Sequence, residues 1–390
     1  MPTQIRKGPC TALAVAAGAA LWGGPAAVAQ TASFNLIGIP TGFHDSHVTG
    51  LSADGRVAGG YLGGTIISQI DPAFTWTLAG GRIDVGQNPG FPNITHASGI
   101  SGDGTTLIGT TRIQNGLYQG FRISNNTYQG LAPSPTYTQT FVYGSNNDGS
   151  IVAGSVSRPT SFTQPCRWVN GTPQQIPLAN AGDVAGGFSG MSRDGSTYIG
   201  VSSGSTVNQR EAYEWTPNGG WTHLPAPAGT VVPYDAVPYA VTPDGSVAVG
   251  SVRPLTAGNP ELAVIWRGNQ PTTLPSLHPG WGGGASSITD TAELVVGGGV
   301  DPTGATSVIT LWSQQTGTIL LTDYWHSRGL DVPAGWTLES AFISADGLSF
   351  GGAVRGPNQL DISGYVATIP APASSYLVLG FGMFLSRRRR

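Results

Sequence analysis

The sequence predicts an all-β protein: a seven-bladed β-propeller of four-stranded blades, closed by an N-terminal strand that completes the last blade. Three observations carry this expectation. A Ser/Thr-x-Asp-Gly turn, or a close variant, recurs seven times and each time precedes a short apolar segment containing glycine. It reads Ser52-Ala53-Asp54-Gly55 running on to Gly60, and it returns at Asp103, Asp148, Asp194, Asp244, Thr291 (degenerate) and Asp346. The spacings of 49, 45, 46, 50, 47 and 55 residues suit a four-stranded blade. Glycine (59 of 390 residues) and proline (29) supply many tight turns, while the long runs of helix formers typical of helical repeat arrays are missing. A closed ring of such repeats folds as one domain.

Residues 1–29 read as a signal peptide. Arg6 and Lys7 precede an apolar stretch from Ala12 to Trp22, and Ala27-Val28-Ala29 offers the small-x-small pattern that signal peptidase cuts, here after Ala29. Cys10 stands ahead of the apolar stretch without a lipoprotein box, so lipidation is not expected there. Removing the leader leaves Cys166 alone, which excludes an intramolecular disulfide; its apolar setting predicts a buried, inert thiol. Six of the 18 basic residues lie in the two ends (Arg6, Lys7, Arg387 to Arg390). The body keeps twelve arginines and no lysine against 21 acidic residues, a net charge of −9 that argues against a nucleic-acid partner.

Residues 30–369 form the propeller. Before each turn stand Leu51, Ile100, Ser145, Met191, Val241, Ile288 and Ile343, preceded mostly by Gly, Ser, Thr or Tyr, a short inner strand lining the axis. At Asp54, Asp103, Asp148, Asp194, Asp244 and Asp346 the carboxylate accepts backbone N–H bonds and the following glycine takes positive φ, so each is a structural hairpin. Second strands follow, such as Val57-Ala58-Gly59 and Ile151-Val152-Ala153. Third strands come 20 to 22 residues past each Asp: Phe74-Thr75-Trp76, Phe121-Arg122-Ile123, Cys166-Arg167-Trp168, Tyr213-Glu214-Trp215, Val264-Ile265-Trp266, Thr310-Leu311-Trp312 and Tyr365-Val366-Ala367. Tryptophan ends five of the seven, the signature of a ring wedged between adjacent blades. Fourth strands follow in every repeat but the last, and Phe34 to Ile39 supplies the missing one from the other terminus, removing the exposed edges. In the longest interval Thr322 is placed to cap a two-turn helix and Gly329 to end it, beside the closure.

No cofactor, metal or catalytic residue is expected. One fixed carboxylate per repeat does not make a calcium loop, although Asn146-Asn147-Asp148 comes nearest. His44-Asp45-Ser46-His47 has zinc-like residue types but falls in an expected loop without a third ligand. Glu211 and Glu214 are offset on a strand, which argues against convergence. The sequons at Asn93, Asn125 and Asn170 are a weak glycan signal.

Residues 370–390 are a sorting tail. Pro370-Ala371-Pro372 introduces an apolar run from Tyr376 to Leu385, closed by Arg387, Arg388, Arg389 and Arg390. Such a run rises only ~15 Å as a helix, half of a ~30 Å hydrocarbon core, and the arginines favour the cytoplasmic side. With this tail, the Ser-x-Asp-Gly repeats, Ala73-Phe74-Thr75-Trp76, Leu321-Thr322-Asp323-Tyr324, Gly335-Trp336-Thr337-Leu338 and Ser344-Ala345-Asp346-Gly347, the chain resembles PEP-CTERM surface proteins with HAF-type extracellular repeats. Ala371 stands where that family usually has Glu. The resemblance implies transient residence in the inner membrane, cleavage by an exosortase-like protease, and delivery to the cell surface or exopolysaccharide matrix of a Gram-negative bacterium.

Function is expected to be non-enzymatic: a binding or structural propeller engaging polysaccharide or envelope components, with Trp221 and Trp281 as candidate sugar-stacking rings. The alternative is a propeller-type glycan hydrolase or lyase, which needs carboxylates or histidines gathered at the axial end by different blades. The Gly, Ser and Thr near the axis weaken it. A purely structural coat component is the third expectation.

Overall fold

A computed structural model describes residues 31–64, 72–85, 95–113, 116–159, 162–204, 209–358 and 360–371. The leader, including Ala27 and Ala29, the sequon at Asn93, and the tail from Pro372 through Arg387 to Arg390 lie outside the described residues. Pro370 is half-buried and Ala371 exposed, directly after the last strand.

The described chain is almost entirely antiparallel sheet. After β1 (Ser33–Leu36), the first repeat forms β2 (Phe43–Leu51), β3 (Val57–Gly64), β4 (Ala73–Thr77) and β5 (Gly81–Asp84); the second forms β6 (Thr95–Ile100), β7 (Thr106–Arg112), β8 (Tyr118–Ser124) and β9 (Thr127–Leu131). The third holds β10 (Gln139–Ser145), β11 (Ile151–Ser157), β12 (Gln164–Val169) and β13 (Thr172–Gln175); the fourth, β14 (Ala185–Met191), β15 (Tyr198–Ser203), β16 (Arg210–Thr216) and β17 (Gly220–Leu224). The fifth holds β18 (Tyr234–Val241), β19 (Val247–Pro254), β20 (Leu262–Arg267) and β21 (Gln270–Thr273); the sixth, β22 (Gly282–Ile288), β23 (Leu294–Val300), β24 (Ser307–Ser313) and β25 (Gly317–Leu320). Helix α1 (Leu321–His326) leads to β26 (Thr337–Ile343), β27 (Ser349–Arg355) and β28 (Ile362–Thr368) of the seventh. Repeats two to six are separate four-stranded meanders, and the first and last share one eight-stranded sheet in which β1 lies on β28.

The repeated turn is held by its own side chains. Ser52 Oγ donates to Asp54 Oδ1 at 2.7 Å, Arg56 N donates to the same oxygen at 3.1 Å, and Val57 N donates to Ser52 Oγ at 3.0 Å, while Gly55 takes φ +64°. The pattern returns at Ser101/Asp103, Ser192/Asp194, Thr242/Asp244 and Ser344/Asp346. In the third repeat Asn146 Oδ1 replaces the hydroxyl and accepts from Ile151 N at 2.9 Å. In the sixth, Thr289 Oγ1 accepts from Leu294 N at 3.1 Å, and Ala292 adopts φ +56° where glycine stands elsewhere.

Six residues past each turn position, the second strand carries glycine in every repeat: Gly60, Gly109, Gly154, Gly200, Gly250, Gly297 and Gly352. A Cβ at any of them would overlap an inner-strand carbonyl oxygen, that of His47, His96, Phe141, Gly187, Val237, Gly284 or Ser340. The close approach belongs to the β-bulge that follows in the first six inner strands, where Thr49, Ser98, Tyr143, Ser189, Tyr239 and Ser286 are skipped by the ladder.

Between repeats, Trp168 Nε1 donates to Ala132 O and Trp266 Nε1 to Pro225 O, both at 2.8 Å, each fully buried ring reaching the outer-strand end of the preceding sheet. At the turn end, backbone bonds pass from one repeat to the next: Ala53 N to Gly102 O (2.7 Å), Asp103 N to Asn147 O (2.8 Å), Asn147 N to Arg193 O (2.8 Å), and Asp194 N to Pro243 O (3.4 Å). The series continues from Asp290 N to Ala345 O (3.0 Å) and from Ala345 N back to Ala53 O (3.1 Å). Pro243 has no N–H to donate onward.

The termini meet on β28. Phe34 pairs with Ala367 and Leu36 with Tyr365, and the Phe34 and Tyr365 rings stack at 5.0 Å and 13°. Trp325 of α1, fully buried, meets Phe34, Phe350 and Tyr365 edge-on at 6.0, 5.2 and 5.9 Å. Thr322 lies inside this helix instead of capping it: Leu320 is the N-cap and no side chain caps the end, because two buried residues, Leu321 and Trp325, fix where the helix starts. Gly329 follows with φ +75° and donates to His326 O at 3.0 Å.

Candidate binding site

The Asp-Gly turns occupy one end of every sheet. Function-bearing side chains gather at the other end, where first and third strands begin, second strands finish, and the longer connections cross. Four features there differ between repeats.

The first is a hollow of about 210 Å³ between the fifth and sixth repeats. Eight residues past each turn position the other repeats bury a side chain, namely Leu62, Thr111, Val156, Ser202, Val252 and Val354, but the sixth has Gly299. Opposite the repeat glycine on the third strand stand Phe74, Phe121, Cys166, Tyr213, Val264 and Tyr365, but the sixth has Thr310. The two positions adjoin, since a Cβ on Gly299 would lie 3.4 Å from Thr310 Cγ2. Two small residues at one interface thus leave space that elsewhere is filled. Trp281 and Trp312 line it, with Glu261, Thr318 and the apolar Leu274 and Val295. His278 meets Trp281 edge-on at 5.0 Å, and the Glu261 carbonyl accepts from Gly283 N at 2.9 Å, joining the two sheets at the rim.

The second is a polar pocket of about 760 Å³ beside the fourth and fifth repeats, lined by Asn180, Asp183, Ser202, Gln209, Glu211 and Tyr234 among others. Asp183 Oδ2 accepts from Ser202 Oγ (2.6 Å) and Asn180 Nδ2 (3.1 Å); Asn180 Nδ2 also reaches Tyr213 Oη (2.7 Å), which donates to Glu211 Oε2 at 3.0 Å. Desolvation first, with the Glu211 carboxylate adding to it, pushes the Tyr213 phenol up to about 12. Glu214, three positions along the strand from Glu211, falls on its opposite face and is raised by burial. Nearby, buried Asp235 takes Arg210 through both carboxylate oxygens (2.8 and 2.6 Å) and Arg253 at 3.4 Å, which holds its pKa down against burial.

The third is an aromatic stack. His44 to His47 lie in β2 and not in a loop, because the Phe43–Leu51 strand extends past the bulge towards Gly64 of β3. His47 stacks on Tyr61 at 5.0 Å and Tyr61 on His96 at 4.5 Å. Burial lowers the His47 pKa; Asp45, 3.3 Å away, opposes the shift and His96 adds to it. The fourth is the axis, where the bulge residues Thr49, Ser98, Tyr143, Ser189 and Tyr239 face one opening. Tyr143 keeps half its surface open, yet the surrounding walls raise its pKa by desolvation.

Trp221, expected in a turn, lies in β17; its Nε1 donates to Pro177 O at 2.8 Å and its ring packs on Phe188 and Tyr213, so it is an inter-sheet strut. Cys166 is fully buried, and desolvation raises its thiol to about 12. The repeat aspartates are bound up in their turns. Among the described residues no three His, Cys, Asp or Glu side chains gather as a metal site. Gly299 and Thr310 carried no signal as single residues; only setting the seven repeats in register marks them as departures.

The sequence matches no protein-family model and no curated protein. Solved structures do resemble it. An oligogalacturonate lyase from Vibrio parahaemolyticus superposes with a TM-score of 0.57 at 11% identity, over 88% of this chain and 98% of that one. The β-propeller domain of the Trilobed protease from Pyrococcus furiosus gives 0.53 at 9%, over 87% and 94%. Prolyl oligopeptidase B from Galerina marginata gives 0.55 at 10%, over 86% of this chain and 50% of its own. The fold is a β-propeller. At these identities the likeness extends to architecture alone.

Proposed function

We propose that this chain is an exported surface or matrix protein of a Gram-negative bacterium whose seven-bladed, closed β-propeller binds polysaccharide. Seven repeats, the β1–β28 pairing and the backbone bonds returning from Ala345 to Ala53 support the closed ring. The observation that carries the binding role is the Trp281 and Trp312 hollow, since indole faces beside a carboxylate and hydroxyls are what a sugar ring uses. Signal peptidase cutting after Ala29 and an exosortase-like protease cutting near Pro370-Ala371-Pro372 complete the reading, with transient inner-membrane anchorage through the Tyr376 to Leu385 run and Arg387 to Arg390.

A second reading, a propeller-type glycan hydrolase or lyase, draws on the Asp183 and Glu211 pocket. A glycan array and a glycosidase and lyase screen on the purified protein separate the two. Binding without turnover supports the first; turnover lost in Glu211→Gln supports the second. The intact mass of the protein from its native cells tests the export route: it should begin at Gln30 and lack the terminal arginines, and a mass retaining all four rejects sorting.

A further inference from the structure

The hollow between the fifth and sixth repeats is more selective than a generic sugar platform. Its base is backbone: Gly297, Gly298 and Gly299 of β23, beside Ala285 and Val295. At about 210 Å³ it lies below the ~300–1,000 Å³ of pockets for drug-sized ligands, so it takes one ring with its substituent. The charged lining group is Glu261, and among the described residues no arginine, lysine or histidine lines the space. A uronic acid would therefore bring a second carboxylate to Glu261 with no cation between them, inside a protein body already net negative. An unsubstituted hexose avoids that repulsion but has no apolar group to fill the recess beside Gly299 and Val295.

An acetamido group resolves both difficulties. Its methyl fits the recess left at Gly299 and Thr310, where the first and seventh repeats hold Leu62 with Phe74 and Val354 with Tyr365. Its amide N–H can donate to Glu261, and the pyranose face meets tryptophan. On the polysaccharide-binding reading, we propose that this hollow recognises an N-acetylhexosamine unit, with Gly299, Thr310, Trp281 and Glu261 setting the selectivity.

The repeats themselves supply the test. Gly299→Val restores the residue that Val156, Val252 and Val354 provide at the same place, and a Cβ there meets nothing nearer than 3.4 Å. The variant should fold, with an unchanged or higher Tm, while its hollow is filled. Titration of the full chain with tri-N-acetylchitotriose, followed by tryptophan fluorescence and calorimetry, should show binding. Cellotriose, with a hydroxyl in place of each acetamido group, should bind at least tenfold more weakly, and trigalacturonate should not bind. Gly299→Val and Trp281→Ala should each weaken the acetylated trimer at least tenfold. N-acetylgalactosamine is included to cover the other common epimer. Equal binding of tri-N-acetylchitotriose and cellotriose, or full binding by Gly299→Val, overturns the proposal. If other glycans on the array still bind in that case, the polysaccharide reading survives without it; if nothing on the array binds, both fall.

Discussion

Arg193 in the turn of the fourth repeat forms a two-pronged ion pair with Asp290 in the turn of the sixth, 97 residues away, passing over the fifth. The fifth repeat carries Pro243 at the matching position, the one turn residue in the series that lacks an N–H. The side-chain bridge thus joins the fourth and sixth turns on either side of Pro243. Both side chains keep partial solvent contact, 26% and 39% exposed, so water and salt limit its strength. A double-mutant cycle with Arg193→Ala and Asp290→Ala should give a coupling energy of roughly 1 kcal/mol or less, shrinking with added salt. A coupling that is several-fold larger and insensitive to salt would show that the bridge carries the ring.

Aromatic packing joins α1 to the strands where β1 meets β28. Trp325 is fully buried among Phe34, Phe350 and Tyr365, and its indole N–H has no partner. Trp325→Ala should cost about 3–5 kcal/mol in denaturant unfolding. Trp325→Phe should cost much less, because it keeps most of the buried ring and removes an unsatisfied donor.

The repeat glycine is a steric requirement at each inner strand. Gly154→Ala places a Cβ against the Phe141 carbonyl, which cannot withdraw without breaking the β10–β11 ladder. A loss of at least about 2 kcal/mol is expected, beyond any gain from restricting the unfolded chain. Gly299→Ala, where the added Cβ meets Thr310, Val308 and Trp281 at 3.4–3.6 Å without overlap, should be neutral or stabilising; equal losses in the two variants would discard the steric explanation.

Acid should weaken the turns. Hydrogen bonds to the ionised form, from Thr242 first in Asp244 and from Ser150 first in Asp148, hold both carboxyls below 3.8. A folded pKa below the unfolded one stabilises the protein above the unfolded value, and the contribution disappears as pH falls through the folded value. Asp244→Asn should therefore lower Tm at neutral pH and flatten its decline between about pH 4 and pH 2. An unchanged acid limb would show that the carboxylate charge does not matter to the turn.

The sequence by itself determined whatever depends on neighbours within one repeat. The repeat period, the Ser-x-Asp-Gly hairpin and the glycine of each second strand follow from contacts a few residues apart or from one strand meeting the next. The pairing of the Phe34 segment with the last strand was legible because the seventh repeat visibly lacks a fourth strand of its own.

Tertiary structure alone decided what happens where different repeats face one another. Trp221 and Trp281 look alike in the chain, yet one is pinned to the Pro177 carbonyl of the preceding repeat as a strut and the other lines a hollow beside Gly299 of its own repeat. The His47, Tyr61 and His96 stack and the Arg193 to Asp290 bridge likewise join side chains from separate sheets. Local propensity fixes the shape of a blade. Only the packing of one blade on the next fixes which space is filled and which is left open.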